Sequence, residues 1–237
     1  MKILFVGPSL PDAAALCGGE IVARPPAAHG DVLSAVRAGA TAVGLVDGNF
    51  EHLAPVWHKE ILHALDCGVA VFGAASMGAL RAAECDSFGM VGIGRIYEDY
   101  ASGRRVDDAD VALLHGPAEL GYPALSLPLV DVEATLDRLE ASKALEKPDI
   151  SRLRAGARSL FYKERTWSTI LEAAGKAEER KSLLQLLHAA TVNRKREDAL
   201  ELMHVLSGFR PQGPAKRGDW TFRATSLWRI AADQPVT

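Results

Sequence analysis

At 237 residues, 48% hydrophobic and 24% charged, the chain has the composition of a globular protein, with room for one large domain or a core and a smaller helical appendage. A formal net charge of −3 gives no global electrostatic case for nucleic acid, and no stretch approaches the roughly 18 consecutive apolar residues of a membrane span. Cys17, Cys67 and Cys85 are widely spaced with no CxxC pair, which argues against a disulfide framework or a zinc site and fits a reducing cytoplasm.

The chain opens on a β-like run, Ile3 to Val6, that is too short for the apolar core of a signal peptide. A second run, Glu20 to Ala23, follows, and "GDVLSAVRAG" (30–39) then reads as a helix with Val32, Ala35 and Val36 on one face and Gly39 as its stop. Ala42 to Val46 is the third strand candidate and leads into Asp47-Gly48. "HLAPVWHKEILHALDCG" (52–68) places Val56, Ile61 and Leu65 at helical spacing before Gly68. Val69 to Phe72 is the fourth strand candidate. Nearly continuous apolar runs separated by helices predict an α/β fold, a mostly parallel sheet with flanking helices, with ligands taken at the carboxyl ends of the strands. Gly7-Pro8-Ser9, Asp47-Gly48 and Ala74-Ala75-Ser76 gather at that edge.

"VAVFGAASMGALRAAEC" (69–85) ends its strand in small residues and puts Ser76 at the start of an alanine-rich helix. Two readings stand. Ser76 is a helix N-cap, or it is the nucleophile of a small-x-Ser-x-Gly elbow. A nucleophilic serine needs a base. The histidines (His29, His52, His58, His63, His115, His188 and His204) form no local signature with it. Lys59 starts the helix after the Asp47-Gly48 loop, where Trp57, Ile61 and Leu62 would desolvate it and favour its neutral form; a solvated helix lysine is the alternative. Arg81 is either an anion-binding group or an ion-pair partner of Glu84. Asp47 either orients Lys59 or Arg81 or caps a loop, and Cys85 is a sulfur relay or a core residue.

The second half changes character. A polar stretch from Gly103 to Asp110 and the punctuated "HGPAELGYPALS" (115–126) precede helical patterns at "DVEATLDRLEAS", "DISRLRAGARSLFYKERTWSTILEAAG", "EERKSLLQLLHAA" and "EDALELMHVLSGF". The expected organisation is an α/β core over 1–130, a helical C-terminal part over 131–210 and an irregular tail over 211–237. Between Ser151 and Arg196 there are 11 Lys plus Arg against 4 Asp plus Glu, a local charge of +7 that is either a solvated face or a docking surface for an acidic protein or peptide.

"VDGNF…PVWHKEILHAL", "VFGAASMGALRAAEC" and "HGPAELGYPALS", in that order, closely resemble the TfuA-like proteins, across roughly residues 3 to 135. The resemblance implies a partner of YcaO enzymes in peptide backbone thioamidation, without a cofactor or metal. It further implies a hydrolase-like site that releases sulfide from a thiocarboxylated ThiS-like sulfur-carrier protein, and assistance to YcaO in engaging its precursor peptide. Carried onto this sequence, the serine of "SMGALRA" is Ser76 and the lysine of "WHKEIL" is Lys59. The amide of Met77 at the helix start would then donate to the oxyanion, with a second donor from the Gly48 or Gly7 loop. Two other readings remain, a non-catalytic adaptor between YcaO and its peptide and a nucleotide-binding domain. "GPSLPDAAALCGGE" lacks the glycine spacing and the Walker lysine for the latter.

Overall fold

A computed structural model describes residues 1–49, 53–211 and 220–233. The chain divides into two compact units, 1–106 with 196–237, and 107–195. In the first unit, strands β1 (Lys2–Phe5), β2 (Ile21–Arg24), β3 (Ala42–Leu45), β4 (Ala70–Ala74) and β5 (Val91–Ile93) form one all-parallel sheet of order β2-β1-β3-β4-β5. This is the doubly wound order whose direction reverses between β1 and β3. Helices α1 (Ala13–Leu16), α2 (Asp31–Arg37), α3 (His58–Asp66), α4 (Met77–Cys85) and α5 (Gly94–Ala101) follow the strands in turn. Every residue of β1 and β3 is buried, as expected of strands covered on both faces.

Alternation along the strands separates two core layers. Ile3, Phe5, Val43, Leu45 and Val71 pack with Val32 and Ala35 of α2, Ile61 and Ala64 of α3, and Ala82 and Cys85 of α4. Leu4, Val6, Val46, Phe72 and Ala74 face the other way. The fifth strand and α5 were not foreseen. Three residues, Val91-Gly92-Ile93, are too few for a periodicity, and the bend into α5 depends on Gly94 at φ +87°.

The second unit is helical: α6 (Leu129–Ala141), α7 (Lys147–Ser159), α8 (Trp167–Ala173) and α9 (Arg180–Ala189) enclose a core that includes Leu136, Leu139, Leu153, Ile170, Leu171 and Leu187. The pattern from Asp149 to Gly175, read as one helical stretch, is broken between α7 and α8. Arg165 in that break is buried and donates to the carbonyls of Ala157 and Leu160, acceptors that the end of α7 leaves open, and to that of Leu127 ahead of α6.

From Arg196 onward the chain belongs to the first unit again. Helix α10 (Arg194–Gly208) sends Ala199, Leu202 and Leu206 into the layer over Leu4 and Phe72, and Leu202 lies against Gly44. The compact units thus divide at 106 and 195, and α10 brings an apolar face to the sheet from beyond the second division. The stretch expected to be an irregular tail contains helix α11 (Ser226–Asp233), while residues 212–219 and 234–237 of it lie outside the described residues. Among the described residues no helix is long and apolar enough to cross a membrane.

Candidate functional site

The chain leaves β4 through a tight turn. The Ser76 amide donates to the Ala74 carbonyl at 2.7 Å, an i to i+2 bond that bends the backbone around Ala75. Ala75 is fully buried and sits at φ +65°, a left-handed conformation that costs a side-chain-bearing residue about 1–3 kcal/mol. Packing holds that strain in place. The Gly78 amide bonds the Val46 carbonyl at 3.1 Å, and a Cβ at Gly78 would collide with the Leu45 carbonyl oxygen. Only glycine allows the first turn of α4 to seat so closely on β3.

Ser76 occupies the N-cap position of α4, yet its hydroxyl caps nothing; the carbonyl of Ser76 takes the amides of Ala79 and Leu80 instead. Among the described residues the Met77 amide has no acceptor. An unused hydroxyl thus stands beside an open N–H at the positive end of a helix. Ser76 is 4% exposed, so its oxygen is recessed. The Asp47-Gly48 loop lies alongside, since a Cβ on Gly48 would approach Met77 Cγ to 2.7 Å. The buried Asp47 carboxylate accepts the amides of Gly7 at 2.8 Å and Ser9 at 2.9 Å and the Ser9 hydroxyl at 2.6 Å. These bonds join the β1 loop to the β3 loop, and they run to Gly7 and Ser9 rather than to Lys59 or Arg81.

Lys59 stands on the first turn of α3, but its Nζ donates to the Arg223 carbonyl at 2.6 Å and lies 4.8 Å from the centre of the Phe222 ring. No hydrogen bond joins it to Ser76. Arg81 donates to the Val56 carbonyl at 3.0 Å and to Glu84 at 2.6 Å, and His58 Nε2 sits 2.8 Å from the same Glu84 oxygen. Burial works against the charge on Glu84, yet the bonds from His58 and Arg81 hold its carboxyl below the usual value. The ion-pair reading of Arg81 is the one the geometry supports. His29 packs on Trp57, His63 on Phe222 and Trp228, and His115 on Tyr122. His52 lies outside the described residues, and no other histidine bonds Ser76.

A TfuA-like protein family model matches residues 47–166, half of the chain. The chain belongs to the TfuA-like family. The match takes in Asp47, Gly48, Lys59, Ser76, Met77, Arg81 and Glu84 together. No curated protein matches the chain. Family membership supports a role for this TfuA-like protein in YcaO-associated thioamidation, with a YcaO enzyme as its partner.

Three further placements refine the site of this TfuA-like protein. Cys85, the last residue of α4, is buried and its thiol is pushed up to about 11 by burial, so it remains protonated and belongs to the core. Glu60, next to Lys59 on α3, is buried. Its oxygens take the amides of Trp57 at 3.3 Å and Leu33 at 3.4 Å, tying the start of α3 to α2. The signal was present as a glutamate three residues after the start of a helix. The basic window is largely neutralised. Arg154 pairs with Asp137, Arg158 with Glu133, Lys176 with Asp149 and Arg196 with Asp12, while Arg165 and Lys195 are buried on backbone carbonyls. Lys195 and Arg196 are therefore engaged within the protein.

Proposed function

We propose that this protein releases sulfide from a thiocarboxylated ThiS-like sulfur-carrier protein, with Ser76 as nucleophile and Lys59 as base, and that it helps YcaO engage its precursor peptide. The observation that carries this reading is the elbow: a strained turn presents an uncommitted hydroxyl next to an open amide at a helix N-terminus. Lys59 takes the Ser76 proton as the oxygen attacks the thiocarboxylate carbon. The C–S bond breaks, hydrosulfide leaves, and an acyl-serine ester remains. Water then cleaves the ester, returning the carrier carboxylate and the serine hydroxyl. The Met77 amide faces the charge that develops on the oxygen, and the helix end favours an anionic substrate. A recessed hydroxyl suits a slender glycine-ended tail, which has no side chain to exclude.

Lys59 must leave the Arg223 carbonyl to serve as base. That contact favours a second reading, a non-catalytic adaptor that steadies YcaO on its peptide. The buried Asp47 carboxylate, placed at the point where strand order reverses, would repel phosphates and counts against nucleotide binding. Three free cysteines support a reducing, cytoplasmic setting. The deciding experiment incubates the isolated protein with thiocarboxylated carrier, without ATP or YcaO, and measures sulfide. Release by the parent and none by Ser76→Ala is the expected result. A parent that is inert but still tightens the YcaO–peptide complex would establish the adaptor.

A further inference from the structure

The C-terminal segment from Trp220 to Asp233 lies against α3, and it does so through few side chains. Among its described side chains Trp228 is the buried one, 5.1 Å from the His63 ring and 5.3 Å from Phe222. Phe222 in turn touches His63 at 5.4 Å and lies under the Lys59 amine. Arg37 of α2 donates to the Ala232 carbonyl, and Trp220 Nε1 donates to the Phe88 carbonyl at 3.1 Å. Between these anchors the segment is open to solvent, and Leu227 and Ile230 of α11 are 64% and 60% exposed. A segment with so little buried contact opens at low free-energy cost. What it holds matters, because a carbonyl oxygen and an aromatic face are both electron-rich and both attract an ammonium. A lysine engaged by the two is not available to take a proton from a serine.

We propose that this C-terminal segment is an internal inhibitor, keeping the Lys59 amine on the Arg223 carbonyl and the Phe222 ring until the segment is lifted from α3. The proposal rests on the role given to Lys59 above, and it adds a resting state to that site. Lifting the segment frees the amine without any change in the Ser76 elbow, which α4, β3 and β4 hold independently of it. The rate then follows the fraction of molecules with the segment displaced, and a partner that binds the segment would raise that fraction.

Two full-length variants test this, Phe222→Ala and Trp228→Ala, each checked for parent-like circular dichroism. Sulfide release from thiocarboxylated carrier is measured beside the rate at which Lys59 is acetylated by dilute acetic anhydride, read by mass spectrometry. Both quantities should rise, on the order of tenfold if the open form is a minor population in the parent. Release in the variants should vanish again when Ser76→Ala is added. Unchanged Lys59 acetylation in both folded variants would overturn the proposal, as would sulfide release that is measurable in the parent and no faster in variants whose Lys59 labels faster. If neither parent nor variants release sulfide while Lys59 labelling rises, the segment's hold on Lys59 stands and the hydrolase reading fails instead.

Discussion

The Ser76 hydroxyl separates catalysis from stability, because it contributes no cap to α4. Replacing a capping serine by alanine ordinarily costs about 0.5–2 kcal/mol. Ser76→Ala should cost less than about 0.5 kcal/mol in denaturant unfolding while sulfide release is lost. Lys59→Arg makes a similar separation. Arginine keeps a cation near Phe222 and the Arg223 carbonyl but does not accept a proton near neutral pH, so it should be as inactive as Lys59→Ala. Activity in the arginine variant would remove Lys59 from the base role. Glu60 carries a pH signature. Burial pushes its carboxyl above the ordinary value, against backbone bonds from Gly30, Trp57 and Leu33. Such a group binds its proton more tightly folded than unfolded, so its contribution to stability falls as pH rises through that raised value. The parent should therefore gain stability relative to Glu60→Gln when urea unfolding is moved from about pH 7 to about pH 5. Partners close in sequence were legible at this scale, as with Arg81 and Glu84 three apart. Those of Asp47 and Lys59 lie far along the chain, at Ser9 and Arg223, where no spacing rule reaches.

At the scale of elements, the elbow depends on how closely α4 approaches the sheet. Gly78→Ala places a methyl group against the Leu45 carbonyl, and backbone on both sides leaves little room to yield. The variant should lose about 3 kcal/mol or more, or fail to accumulate folded, as measured by thermal unfolding of the purified chain. The small-x-Ser-x-Gly pattern was legible, but its glycine reads differently once packed: it belongs to the contact between helix and strand as much as to the turn. β1, β3 and β4 were legible because strands buried on both faces are nearly all apolar, Lys2 at the start of β1 excepted. β5 was not, and neither was the Asp198 carboxylate that takes the Arg95 and Ile96 amides at the start of α5, since that cap arrives from α10. The helical stretch after Asp149 was legible in period but not in its break, which is fixed by Arg165 reaching back to α7.

On the scale of the whole molecule, charge counted along the sequence misrepresents charge available to a partner. A local excess of +7 over 151–196 looks like a docking face, yet at least six of its eleven cations are held by acids or buried carbonyls of their own unit. Lys195 is only 2% exposed, and its Nζ donates to the Val111 carbonyl at 2.8 Å. Reversing Arg194, Lys195 and Arg196 to glutamate should consequently unfold or strongly destabilise the protein, because it buries an anion against a carbonyl and opposes Asp12. Reversing the exposed Arg180 and Lys181 should leave the thermal midpoint close to the parent's. Equal midpoints for the two sets would return the first cluster to the surface.

The first unit is built from two stretches of chain separated by the whole of the second unit. During synthesis the sheet therefore emerges with Leu4, Val6 and Phe72 bare, and the helix that covers them, with Leu202 and Leu206, follows some hundred residues later. At ribosomal rates that interval is roughly 5–20 s. The nascent α/β core must wait through it as an uncovered apolar layer, while the continuous stretch 107–195 is already able to fold. A chaperone that shields one face of a parallel sheet would meet this chain in its most vulnerable state just before α10 arrives.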